Sequence, residues 1–248
     1  MPLRLAEELL LIALDDVSGK LRDLPERALD MGLAGALLIE LNADGSLDAS
    51  PEGVNTLGDA PPPELADGDN LRGLVLSCLA TASQPLTLQH ALARLCNEAA
   101  AIRRILFENL VGKGVLRRQE HRLLFVLSER RYPVINNREE TEAITRIRRT
   151  VLGWPTGPGA TAGPETSATE RETAEPGEPT EPRARDVHLV ALIHACGLGA
   201  VVFTPEELER HGRRIEAIGA RDCVAAAVAE AIHEIQRAIL EVRAYAGM

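Results

Sequence analysis

A mainly α fold is predicted, interrupted by one basic β-hairpin and one disordered segment. Three observations predict it. The 248 residues are 45% hydrophobic but 2% aromatic, so the core must be built from Leu, Ala, Val and Ile. Leu and Ala favour helix, while the aromatic residues typical of strands are scarce. Apolar residues then recur at helical spacing through most of the chain. Finally, residues 154–185 (WPTGPGATAGPETSATERETAEPGEPTEPRAR) hold almost no large apolar side chain and many Pro, Gly, Thr and Glu. Such a stretch cannot bury enough surface to offset the entropy of ordering. At about 30 residues it also exceeds an ordinary connection within a compact domain.

The helices follow in order. Leu5, Leu9, Ile12 and Ala13 share one face of a first helix over 3–14, which the Val17-Ser-Gly-Lys20 stretch breaks. Pro25 suits the first turn of a second helix reaching about Leu41, and the run 33–41 is apolar nearly all round, so this helix is expected at the centre of the core. A turn at 42–45 leads to a weak hairpin or irregular loop over 46–57. Helices are expected at 70–81, 87–95 and 97–112, the last closed by Gly112-Lys113-Gly114 as a C-cap with its cation. The hairpin comes next, its strands read as the apolar runs 114–116 and 123–127. Asn136-Asn137 offers an N-cap to a helix from Arg138, with glutamates in its first turn and arginines near its end. Beyond residue 185, a core helix spans 186–196, and Thr204-Pro-Glu-Glu207 forms a capping box with Pro at the first helical position. The last helix, about 222–244, sets Val224, Val228, Ile232, Ile235, Ile239 and Val242 in one stripe.

Charge is unevenly placed. The chain carries −10. Between Arg103 and Thr150, twelve Lys/Arg face six Asp/Glu, a balance of +6 that leaves −16 for the rest. A basic helix (Arg103, Arg104) feeding a hairpin flanked by Arg117-Arg118 and Arg130-Arg131 reads as a surface for negative charge. Arginine forks suit phosphate oxygens, so Arg103 and Arg104 with Arg117 or Arg118 are the candidate headgroup ligands, and Arg130 and Arg131 the candidate membrane-facing pair. The bland alternative pairs Arg104 with Glu108 at i+4 and leaves the others solvated.

Other chemistry finds little footing. No GxSxG, P-loop, HExxH or paired CxxC occurs, so no enzyme and no cofactor is expected. The four cysteines lie far apart in apolar helical contexts and read as structural, and the six histidines are scattered. No run approaches the roughly 18 apolar residues of a membrane span, and no secretory signal is expected. The expectation is a cytoplasmic protein with at most peripheral membrane contact. Twenty-five Arg against two Lys point to GC-rich coding and a bacterial source.

Several segments in succession resemble the Golgi phosphoprotein 3 family: LAEELLLIALDD (5–16), GLAGALLIEL (32–41), RILFENLVGKGVL (104–116), RYPVINN (131–137) and VHLVALIHACGL (187–198). The resemblance implies a single helical domain with a protruding β-hairpin. Residues 1–153 would form its N-terminal part, 154–185 the insert, and 186–248 the helices completing the same domain. It further implies a peripheral membrane protein binding phosphatidylinositol 4-phosphate, an adaptor in eukaryotic members, with no catalytic activity. The family's pocket uses a Trp, an Arg near the second helix, and two Arg three apart on the helix before GVL. An ungapped alignment puts these positions on Pro25, Ala34, Ala100 and Arg103. Only Arg103 carries over.

Three functions remain open at this point. Peripheral binding of anionic phospholipid leads, with a protein partner unidentified. Helix, helix and basic hairpin over 87–127 also describe a winged-helix reader of nucleic acid, although the acidic remainder opposes it. A protein-interaction scaffold, with the Thr/Glu-rich insert as tether, is the third.

Overall fold

The computed structural model describes residues 2–16, 18–25, 27–57, 70–80, 86–123, 127–153 and 183–246, with backbone alone for 120–123, 127–130 and 242–246. Among the described residues, ten helices and two small antiparallel sheets form. The helices are α1 (Leu5–Ile12), α2 (Ala28–Ala43), α3 (Asn70–Ala80), α4 (Leu88–Asn97), α5 (Ala99–Gly112), α6 (Arg138–Leu152), α7 (Ala184–Ala195), α8 (Gly199–Val202), α9 (Pro205–Gly219) and α10 (Cys223–Ala246). The strands are β1 (Leu47–Ser50), β2 (Gly53–Thr56), β3 (Gln119–Leu123) and β4 (Leu127–Arg131). The predicted insert over 154–182 lies outside the described residues. The helix following it begins at Ala184, so Ala184 and Arg185 are helical and not part of a linker.

α2 is the axis of the core, as its all-round apolar pattern predicts. It packs against α1, α4, α5, α7, α10 and β1. Leu33, Ala34, Ala36 and Leu38 are essentially inaccessible. Each leucine buried in this way contributes about 1.5–3 kcal/mol of transfer free energy. Close approach requires small residues: a Cβ on Gly35 would lie 2.5 Å from Val228 Cγ2 on α10, and one on Gly32 would collide with the Cys196 sulfur. Residues from both sides of the insert, Leu9 to Val151 and Leu189 to Ile232, join one hydrophobic cluster.

Several local expectations hold. The weak hairpin forms as β1–β2, pairing Leu47 with Thr56 and Ser50 with Gly53. The Thr204 hydroxyl accepts from Glu207 N, the Glu207 carboxylate accepts from Thr204 N at 2.9 Å, and Pro205 opens α9. On α10, Val224, Val228 and Ile232 are buried along the predicted stripe.

Others are corrected. Val115 and Leu116 are not a hairpin strand: they drop into the core, and Leu116 makes only an isolated bridge to Val134. The strands are the more polar QEHRL and LSERR, in register Gln119↔Arg131 through Leu123↔Leu127. The apolar run 123–127 therefore spans the end of β3, the connection and the start of β4; residues 124–126 lie outside the described residues. Asn137 makes no side-chain cap on α6; Asn136 Oδ1 instead accepts from Arg138 N at 3.0 Å. Gly114, at φ +73°, ends α5 in the left-handed region as a C-cap should. The Lys113 ammonium, however, leaves the helix end to meet the Glu7 carboxylate at 2.5 Å.

That last pair belongs to a buried network on α1. Glu7 and Glu8 interrupt an apolar run in sequence, yet both are buried. Glu8 accepts from Arg146 of α6 at 2.8 Å, and Arg146 also donates to Asp186 of α7 at 3.0 Å. Charges removed from water persist when they are paired. Here the pairing ties three distant helices together.

Candidate functional site

The predicted arginines fall into two groups. Arg103 leaves α5 toward α2, where it forms an ion pair with Asp30. Arg104, one residue on, stays on the outer face of its helix and meets Glu108 at 3.4 Å, the i+4 pairing open from sequence. Separate partners on separate helices thus engage Arg103 and Arg104. The second group gathers at the hairpin base. Arg117 and Arg118 are exposed just before β3, and Arg130 and Arg131 close β4. The register sets Arg130 opposite Glu120 and Arg131 opposite Gln119, and Arg117 N donates to Pro133 O at 3.0 Å. Both arginine pairs therefore lie at the foot of the hairpin, next to the helical body. At the far end of the described pairing stand Leu123 and Leu127.

Around Arg103 the structure assembles charges that sequence reasoning missed. Arg27 is the N-cap of α2 and the one described non-glycine residue at positive φ, +60°. A side chain in that left-handed region is strained. Its guanidinium donates to Cys96 O at 3.4 Å, which places the start of α2 against the junction of α4 and α5. The N-terminus of α5 has no side-chain cap and no acid in its first turn, and α2 likewise has no side-chain cap. The residue heading α5 is the acid Glu98, and Asp30 lies in the first turn of α2, each favourable to its helix dipole. Burial pushes the Cys96 thiol up to about 11, with Arg27 and Arg103 pulling it down and Asp30 pushing it up. All three charges consequently act on one sulfur. A readable signal for Arg27 existed: a cation at the start of an apolar helix opposes the helix dipole and needs another reason to be there.

The family-pocket positions fare differently. Ala34 is fully buried in α2, Ala100 and Pro25 are exposed, and Arg103 is one-third exposed. Arg27 stands two residues beyond Pro25, its guanidinium bonded to Cys96 O.

A separate cavity of about 400 Å³ opens between α2, α3 and α7, rimmed by Arg4, Arg72, Arg185, Glu40 and Asp44. None of the predicted site arginines lines it. Arg72 lies 3.4 Å from Asp44, and Arg185 lies 4.0 Å from Glu40 and 3.4 Å from Glu8. Burial raises Glu40, against the opposing bond from Leu5 N and the charge of Arg185. The four cysteines carry free thiols, Cys96 and Cys196 buried and Cys78 and Cys223 half-buried. His188 bonds Asp222, whose carboxylate also caps α10 through Val224 N and Ala225 N. No helix among the described residues is long and apolar enough to cross a membrane.

The fold and site define a class: a helical protein organised around a buried central helix, with a β-hairpin on a basic foot. The chain belongs to the Golgi phosphoprotein 3 (GPP34) family, whose model matches residues 5–235, nearly the whole length. No protein with a curated description matches it.

Proposed function

We propose that this protein is a non-enzymatic, peripheral binder of anionic phospholipid, phosphatidylinositol 4-phosphate or a similar phosphomonoester headgroup, with a possible adaptor role toward a protein partner. The observation that carries the reading is that Arg27, the N-cap of α2, and Arg103, in the second turn of α5, both act on Cys96, with Asp30 of α2 paired to Arg103. Such a cleft supplies what a phosphate requires: guanidinium forks. Arg103 is the ligand that the family pattern and the geometry have in common.

The remaining arginines have a second task. Arg104, Arg117, Arg118, Arg130 and Arg131 attract an anionic bilayer without selecting a headgroup, at about 1 kcal/mol for each residue near the surface. Their grouping at the hairpin foot would hold the body of the protein against the membrane. In this arrangement 1–153 and the helices from Ala184 onward act as one lipid-reading unit, with the segment between them as an insert outside it.

The test is co-sedimentation with vesicles of neutral lipid, generic anionic lipid, and neutral lipid doped with phosphatidylinositol 4-phosphate. Binding that requires the phosphoinositide and falls in Arg27→Ala and Arg103→Ala supports the cleft. Binding that follows charge alone leaves only the hairpin foot. Absence of vesicle binding, with salt-sensitive retention of a DNA duplex, would favour the nucleic-acid reading instead.

A further inference from the structure

The cavity of about 400 Å³ between α2, α3 and α7 takes no part in the headgroup site, and its lining divides into two kinds of surface. Leu37 and Leu41 of α2 with Leu71 and Val75 of α3 form an apolar floor, and all four are buried. The rim is charged, with Arg4, Arg72 and Arg185 beside Glu40 and Asp44. Small-molecule sites of roughly 300–1,000 Å³ combine an apolar wall with a few polar groups in this way.

The three arginines come from the same place on three helices. Arg4 is the N-cap of α1, Arg72 lies in the first turn of α3 and Arg185 in the first turn of α7. A cation there opposes the helix dipole, so helix formation explains none of them. Their pairing with the rim acids is loose. Arg72 meets Asp44 at 3.4 Å with both side chains 44% exposed, and Arg185 meets Glu40 at 4.0 Å. Pairs that hold the scaffold are closer and better covered: Arg146 donates to Asp186 at 3.0 Å and Lys113 to Glu7 at 2.5 Å. Solvated pairs exchange partners at small cost, whereas a carboxylate gripped by a guanidinium fork is the stronger contact. Exchange would strand neither acid. Asp44 Oδ1 accepts from Ser46 N at 2.9 Å, and Glu40 accepts from Leu5 N. Glu8, which Arg185 also approaches, is bonded by Arg146.

We propose that this cavity is a second binding site, for a small amphipathic carboxylate whose charge sits on Arg72 and Arg185 and whose alkyl chain lies along Leu37, Leu41, Leu71 and Val75. Charge and shape agree on this class. Three guanidinium groups against two carboxylates leave one positive charge on the rim, which a monoanion balances. Burial also raises the Glu40 carboxyl, which weakens the negative side of the rim. The floor favours a chain over a small inorganic anion, because only a chain covers apolar surface.

The experiment is calorimetric titration of the full chain with octanoate below its micellar concentration. Octanol supplies the chain without the charge, and acetate the charge without the chain. Octanoate is expected to bind saturably and about tenfold or more tighter than either control. Arg72→Glu alters an exposed side chain and is expected to weaken octanoate about tenfold or more while leaving octanol unchanged. Val75→Phe fills the floor and is expected to weaken both. A urea titration checks folding, and if Val75→Phe does not fold, Arg72→Glu still decides. Equal binding of octanoate and octanol overturns the proposal, as does octanoate binding that survives Arg72→Glu, or none at all. Displacement of octanoate by an inositol phosphate would place it at Arg27 and Arg103 and overturn the proposal too. No vesicle enters the experiment, so its failure leaves the headgroup site untouched.

Discussion

In the proposed headgroup site Asp30 holds Arg103 in an ion pair, so its replacement by the isosteric Asn makes a sharp prediction. Bound headgroup must displace this carboxylate or share the guanidinium with it. Arg103 is 33% exposed and Asp30 16%, between a surface ion pair and a buried one. Exposed pairs contribute about 0.2–1 kcal/mol and hydrogen bonds to charged groups about 1.5–3 kcal/mol, so about 1–1.5 kcal/mol is a reasonable cost of displacement. Removing the charge returns that amount to binding, and Asp30→Asn is expected to bind phosphoinositide vesicles about five- to tenfold more tightly. The repulsion that Asp30 exerts scales with ligand charge, so a phosphomonoester gains more than a singly charged phosphodiester and headgroup discrimination should widen. The assay is vesicle co-sedimentation at physiological salt, with a urea titration to show that the variant folds. If Asp30→Asn leaves affinity unchanged while Arg103→Ala abolishes it, Asp30 does not compete. If neither changes affinity, the cleft is not the site.

Other perturbations probe the foot and the scaffold. Arg130→Ala/Arg131→Ala is expected to weaken binding to all anionic vesicles alike, by about 1 kcal/mol per arginine, and to flatten the salt dependence; a loss confined to one headgroup would refute a purely electrostatic role. Lys113→Met strands Glu7, which is fully buried, and should cost about 3–5 kcal/mol in urea unfolding. Adding Glu7→Leu should restore most of that loss, and a double variant as unstable as the single one would contradict the pairing. Gly35→Ala drives a methyl to 2.5 Å from Val228 and is expected to lower stability by about 1–3 kcal/mol. Arg148→Ala removes bonds of 2.5 and 2.9 Å to Glu207, whose carboxyl Arg148 holds below its ordinary value. The wild type draws stability from this contact above the unperturbed carboxylate range and loses it as pH falls through the depressed value, so the gap between the two proteins should close in acid.

The helices were largely legible because their information is local. Periodicity located α2 and α10, and the Thr204–Glu207 box located the start of α9, since each signal lies within a few turns of chain. The Arg104–Glu108 pair is legible for the same reason. The hairpin was misread because Val115 and Leu116 have β-like chemistry but are taken by the core, while pairing falls to the polar segments that follow. Nothing local distinguishes a leucine needed by a neighbouring helix from one needed by a strand. The partners of Glu7 and Arg103 stand 106 and 73 residues away, so the ion pairs that decide which charges are consumed are tertiary facts. The Arg27–Arg103 cleft is likewise a product of packing, although a cation at the head of an apolar helix was a visible anomaly.

The central claim is that Arg27 at the head of α2 and Arg103 on α5 hold a phosphorylated headgroup, and calorimetric titration with a soluble inositol phosphate tests it without the membrane. The account predicts saturable binding to the wild type, loss in Arg27→Ala and in Arg103→Ala, tighter binding in Asp30→Asn, and no change in Arg130→Ala/Arg131→Ala. Binding that survives both cleft variants, or that disappears with the hairpin-foot arginines, would contradict it.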